Sequence, residues 1–131
     1  MNSGSHDKSK KRSIGFIYAW NGLANMIKSE RNFQIHIFSA VIVIVIGFIV
    51  RLSTLEWSIV LLVIGFVLVT EMVNTAIEKI IDYLKPDIHP DAKMIKDVAA
   101  GAVLVSAIIA AIVGFLIFLP KLISIMRLFS L

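Results

Sequence analysis

The sequence predicts an all-α membrane protein, with three transmembrane helices preceded by an amphipathic helix on the membrane surface. Three observations carry this. Hydrophobic residues make up 58% of the 131-residue chain and mean hydropathy is +0.89, above the roughly 45–50% apolar content of soluble domains. The excess is gathered into three runs, each close to the ~20 apolar residues that a helix needs to cross about 30 Å of hydrocarbon. Basic and polar residues occupy the stretches between the runs. The length fits one membrane domain over residues 1–131, and there is no internal repeat. With no cysteine, a disulfide framework, a thiolate zinc site and a thiol nucleophile are all excluded.

Residues 1–12, MNSGSHDKSKKR, are polar and basic and read as a disordered tail. Beside apolar spans, such a patch points to anionic lipid headgroups rather than nucleic acid. Residues 14–29 have helical periodicity. Phe16, Ile17, Trp20, Leu23, Ala24 and Ile27 fall within roughly 120° of arc, and Tyr18 and Trp20 suit the headgroup layer. Residues 33–50 form the first span, too long for a strand and ended by Arg51. A signal peptide is not expected, since no small-x-small cleavage site follows this run. The second helix covers 55–83, because WSIVLLVIGFVLVT runs into EMVNTAIEKIID without Gly or Pro. Pro86 and Pro90 then open a polar connector. The third span, 98–119, is expected to end at Pro120. It carries Ala102, Ser106, Ala110 and Gly114 at every fourth position, a ridge that lets helix backbones approach closely.

Ten of the thirteen basic residues lie in the N-terminal segment or around the connector: Lys8, Lys10, Lys11, Arg12, Lys28, Arg31, Lys79, Lys85, Lys93 and Lys96. The opposite side has Arg51, Lys121 and Arg127. The positive-inside rule therefore places the N-terminus and connector in the cytoplasm.

Glu71, Asn74 and Glu78 are the informative residues. With Thr75 and Asp82 they share one helix face, all within about 60° of the Glu71 direction. A rise of 1.5 Å per residue puts Glu71 roughly 24 Å from Leu55, and Glu78 roughly 10 Å beyond. Glu71 is thus near the end of the hydrocarbon and Glu78 in the interface. A carboxylate at the bilayer centre costs about 2.5–3.5 kcal/mol on insertion scales, less near the edge, so this face reads as functional. A polar seam joining helices through Asn74 is the alternative, and it accounts poorly for two glutamates. A face graded from lipid to water suits the transfer of a phosphoryl group to a lipid hydroxyl. Such a reaction needs carboxylates to hold Mg²⁺ and a base near the hydroxyl. Glu30 offers another carboxylate at the same level. Lys96 can meet phosphates, with Asp97 fixing Lys96 or capping the helix. His36 lies in the first span, where a helix contact and a functional role are both open. No Walker A or protein-kinase signature occurs. A small oligomeric transporter is the competing class, but it favours a midplane carboxylate reached from both sides. The opposite leaflet is expected to hold no carboxylate within a span.

The set E-R-N-F at Glu30–Phe33, E-M-V-N-T-A-I-E at Glu71–Glu78, K-D-V-A-A-G-A from Lys96 and Y-x-W-x-G-L at Tyr18–Leu23 resembles the prokaryotic integral-membrane diacylglycerol kinase family, over about residues 14–119. The resemblance implies a bacterial plasma-membrane enzyme using ATP and Mg²⁺, assembled as a homotrimer with active sites shared between neighbouring subunits. It implies Glu71 as base and Asn74 as its positioning neighbour, with Glu30 and Glu78 bearing metal. It also implies ATP contacts from Tyr18, Glu30, Glu78, Asp87, Ile88, His89, Lys96 and Asp97, and lipid contacts from Glu71 and Ala100. The connector departs from the family pattern at its prolines. The segment Arg31–His36 resembles the Gram-positive branch, the undecaprenol kinases, which implies undecaprenol as acceptor and undecaprenyl phosphate as product. Diacylglycerol, giving phosphatidic acid, is the alternative.

Overall fold

The computed structural model describes the backbone of residues 5–84 and 89–129 and the side chains of 15–84 and 89–127. Its described residues form four helices in the order α1 Ser5–Ser29, α2 Arg31–Ile49, α3 Thr54–Leu84 and α4 Pro90–Phe129. The last three are long and apolar enough to cross a membrane.

The helix bounds differ informatively from those expected. α1 begins at Ser5, so residues 5–12 are helical rather than disordered. Lysine and arginine are good helix formers, and neither Gly nor Pro interrupts residues 5–14. α4 begins at Pro90 rather than 98, because proline fits the first helical position, where its missing N–H is not needed. It also continues through Pro120, which was expected to end it. The turns beyond Pro120 are held by packing: Lys121 pairs with Glu56, and Ile125 joins an apolar cluster. Spanning helices tolerate the hydrogen bond that such a proline removes.

α3 packs chiefly against α4, with α2 alongside α3 and α1 touching α2. Ser106, from the small-residue ridge, is fully buried. Its hydroxyl accepts from Thr70 Oγ1 at 3.2 Å and donates to Val103 O at 2.7 Å. Ala102 of the same ridge is exposed, so the ridge is only partly a helix contact.

The α2–α3 turn closes the end opposite Glu71. Arg51 has φ 55, Leu52 N–H donates to Gly47 O at 3.0 Å and Arg51 N–H to Phe48 O at 3.2 Å. This pair of bonds caps the last carbonyls of α2. Ser53 and Glu56 then cap α3 reciprocally: Ser53 N–H donates to Glu56 Oε2 at 2.6 Å and Glu56 N–H to Ser53 Oγ at 3.4 Å. Val50, Leu52 and Val60 form a core here, with Trp57 and Ile117 packed against it. Glycine at position 47 is required by close approach, since a Cβ there would sit 2.8 Å from Trp57 Cη2. Glu56 also corrects the expectation of a carboxylate-free opposite leaflet. It lies in the first turn of α3, satisfied by its cap and by Lys121 at 3.0 Å.

Candidate active site

A single extended residue, Glu30 (φ −102, ψ 108), separates α1 from α2. The corner is held by the Gln34 side chain, whose Nε2 donates to Ile27 O at 2.9 Å and so satisfies an end carbonyl of α1. Ser29 Oγ donates to Glu30 Oε1 at 3.1 Å. The corner thereby aims Glu30 at α3, where Lys79 Nζ lies 2.8 Å from Glu30 Oε1. The Lys79 ammonium first, and the Ser29 hydroxyl second, hold the Glu30 carboxyl below the usual carboxylate range, against a smaller desolvation effect.

On α3 the expected face is graded in burial. Glu71 is 3% exposed, Asn74 and Thr75 are also buried, Glu78 is half-buried and Asp82 exposed. Periodicity explains this: these residues recur every three or four positions on the side turned inward. Asn74 Nδ2 donates to Glu78 Oε1 at 3.0 Å, one turn along the same helix. It does not bond across to another helix, as a seam residue would. That bond fixes the amide, and leaves Asn74 Oδ1 buried without a partner. The groups interacting with the Glu71 carboxyl are His36, Glu78, Glu30 and, as a hydrogen-bond donor, Asn32.

Two grooves meet this cluster. One, of about 310 Å³, runs between α1 and α3, lined by Gly22, Asn25, Met26, Ser29, Glu30, Met72, Thr75, Ala76 and Lys79. The other, of about 330 Å³ and mostly apolar, runs from His36 along α2, α3 and α4 to Ala110 and Ala111. The first groove carries the side chains of Asn25, Ser29, Glu30, Thr75 and Lys79 on otherwise apolar walls, and the second reaches the cluster at His36.

The remaining expected residues are more scattered. Lys96 pairs with Asp82. Asp97 pairs with Lys93 one turn earlier, so it neither fixes Lys96 nor caps the helix. His89 has the capping role: its Nδ1 accepts from Asp91 N–H at 3.3 Å and its carbonyl from Lys93 N–H at 3.0 Å. Tyr18 is exposed on α1, one turn before Gly22, and Ala100 is exposed on α4. Asp87 and Ile88 lie outside the described residues. Sequence reasoning missed Asn32, Ser29 and the role of Lys79. Lys79 is about 80° round the helix from Glu71, and only the α1–α2 corner makes it part of the site.

The model of the family described as prokaryotic diacylglycerol kinase matches residues 17–118. The chain belongs to the prokaryotic diacylglycerol kinase family. Among the relatives of this diacylglycerol kinase family chain is the undecaprenol kinase of Bacillus subtilis (strain 168), 46% identical over 123 residues, covering 93% of this chain and 100% of that one. The diacylglycerol kinase of Synechocystis sp. (strain ATCC 27184 / PCC 6803 / Kazusa) is 40% identical over 114 residues, covering 86% and 65%. That of Helicobacter pylori (strain J99 / ATCC 700824) is 31% identical over 104 residues, covering 79% and 81%. Family membership makes the chain a membrane-embedded lipid kinase.

Proposed function

We propose that the chain transfers the γ-phosphoryl group of ATP to the hydroxyl of undecaprenol at the cytoplasmic face of the bacterial plasma membrane, giving undecaprenyl phosphate and ADP. The observation that carries this reading is the site's gradient. Glu71 is buried beside an unpartnered Asn74 oxygen, Glu78 further along the same face is half-buried, and Glu30 lines the α1–α3 groove with Ser29 and Lys79. Support for undecaprenol as acceptor is the 46% identity to a protein named undecaprenol kinase, spanning its full length.

Glu71 takes the proton from the acceptor hydroxyl as its oxygen bonds to the γ-phosphorus and the bond from that phosphorus to the β,γ-bridging oxygen breaks. Asn74 positions the Glu78 carboxylate on the same face as Glu71, through the bond its Nδ2 donates to Glu78 Oε1. The apolar groove below His36 receives the start of the lipid tail. Tyr18, the connector residues 87–89, Lys96 and Asp97 contact the nucleotide, and Ala100 the lipid.

Glu30 and Glu78 are the residues to hold Mg²⁺. Among the described residues no three acidic or histidine groups converge on a metal position. That fits Mg²⁺, which is usually bound by one or two carboxylates plus substrate phosphates rather than by an all-protein cage. Glu30 already holds a cation, Lys79, and Asn74 presents an unused oxygen beside Glu78. Bound Mg²⁺ supplies neutralisation of charge on the transferring phosphoryl group.

The homotrimer belongs to the same proposal. Leu62, Phe66, Val69, Val73, Ala76 and Ile80 are all exposed along α3, opposite the buried Glu71 face, at alternating spacings of four and three. This is the repeat of helices that wind together. Covering it with α3 of other copies leaves Glu71 facing away from the axis. Exposed Phe16, Ile17 and Trp20 support α1 as the helix lying on the membrane.

The transporter reading loses its footing at Glu56, whose cap and ion pair make it a structural group. The test is the protein in mixed micelles with ATP and Mg²⁺, offered undecaprenol and diacylglycerol separately. Faster phosphorylation of undecaprenol is expected. A preference for diacylglycerol overturns the acceptor, and no phosphorylation of either lipid overturns the reading.

A further inference from the structure

Lys79 stands where the proposed reaction needs a metal, and no part of that reaction uses it. Its Nζ is 2.8 Å from Glu30 Oε1, and Glu78 and Asp82 are its other charged neighbours. Asp82 is also held by Lys96. Three carboxylates thus share two ammonium groups, and Lys79 and Glu30 both line the α1–α3 groove. Glu30 is 24% exposed and Lys79 67% exposed. The carboxylate is fixed by its corner, whereas the lysine is a point charge on a flexible four-carbon stem in solvent. An exposed ion pair of this kind contributes little to stability. Its consequence is electrostatic. A divalent ion approaching Glu30 meets the repulsion of an ammonium already seated on Oε1.

We infer that Lys79 is a displaceable counter-cation. It neutralises Glu30 while the site is empty, yields that carboxylate to the divalent ion that enters with the nucleotide, and then pairs with the nucleotide's phosphates. The inference rests on the reading of Glu30 as a metal carboxylate. It makes Lys79 a positioning residue with two effects of opposite sign. Without nucleotide it competes with the metal. With nucleotide it adds attraction for phosphate, so the site favours metal and nucleotide together over metal alone. No bond is made or broken in the exchange.

The test measures Mn²⁺ binding, by paramagnetic resonance, to the full chain in detergent micelles without nucleotide. Affinity for a non-hydrolysable ATP analogue in Mg²⁺ is measured on the same samples. K79M is expected to bind Mn²⁺ about fivefold more tightly, the order expected when a unit charge a few ångströms away in a well-solvated position is removed. The same variant should bind the analogue more weakly by a similar factor. K79R, which keeps the charge, should behave as the parent in both. A merely structural lysine moves neither affinity in this opposed way. Unchanged or weaker Mn²⁺ binding in K79M, or unchanged analogue binding, overturns the inference. E30Q separates the two readings. If E30Q weakens Mn²⁺ binding while K79M leaves it unchanged, only the role of Lys79 falls. If E30Q leaves Mn²⁺ binding unchanged, the metal role of Glu30 falls and the inference with it.

Discussion

Replacing Asn74 by Ala separates a reacting-site residue from one that holds helices together. Two consequences in the empty protein oppose each other. The variant loses the bond from Nδ2 to Glu78 Oε1, and a hydrogen bond to a charged group is worth about 1.5–3 kcal/mol. It also removes Oδ1, buried without a partner, and an unsatisfied buried acceptor costs about 1–3 kcal/mol. These nearly cancel, so thermal unfolding in detergent should shift by no more than about 1 kcal/mol. Turnover should not be spared. If Asn74 positions the Glu78 carboxylate at the transferring phosphoryl group, its loss removes one preorganised contact of the transition state, about 10²–10³-fold in kcat. The assay compares kcat with ATP and undecaprenol in mixed micelles, per folded protein, with the unfolding midpoint of the same preparation. A variant that is several kcal/mol less stable yet turns over normally while folded would refute the reasoning and make Asn74 a packing residue.

Two further expectations follow from the described contacts. Gly47→Ala places a methyl 2.8 Å from Trp57 Cη2 and 3.0 Å from Leu52 Cδ1; overpacking of this kind costs about 1–3 kcal/mol, visible as a lower unfolding midpoint, with kcat of the folded enzyme unchanged because the contact is at the opposite end from Glu71. The Glu30 carboxyl titrates below its usual value of 4.5 because of Lys79 and Ser29, so its contribution to stability is present above that value and lost as pH falls through the lower folded-state value. The difference in unfolding midpoint between parent and Glu30→Gln should therefore be constant from pH 7 to pH 5 and shrink on further acidification; a difference that instead grows with acid contradicts the assigned pairing.

The number of spans was legible because burial in lipid demands long apolar runs, and nothing in soluble folding produces three of them. The face holding Glu71, Asn74 and Glu78 was legible because helical spacing alone fixes it. What escaped depends on contacts between distant segments. The Glu30–Lys79 pair arises from a one-residue corner whose geometry no local pattern encodes, and so does the approach of Asn32 to Glu71. Lys96 finding Asp82 rather than Asp97 depends on how α3 meets α4. The Ser53–Glu56 cap is a local pattern, legible in S-T-L-E, whereas the pairing of Glu56 with Lys121 depends on how the end of α4 returns to α3. Pro120 misled, since a proline stop is a rule for helices in water, whereas here packing carries α4 onward.

The central claim is that Glu71 removes the proton from the lipid hydroxyl. It is tested most directly by Glu71→Gln, which keeps the side chain's size but cannot accept that proton. The measurement is phosphoryl transfer from ATP to undecaprenol by the purified variant, alongside its oligomeric state and its affinity for a non-hydrolysable ATP analogue. The account predicts that turnover falls by about 10²–10⁴-fold, the usual contribution of a positioned base, while assembly and nucleotide affinity stay at parental values. Turnover within a few-fold of the parent contradicts it.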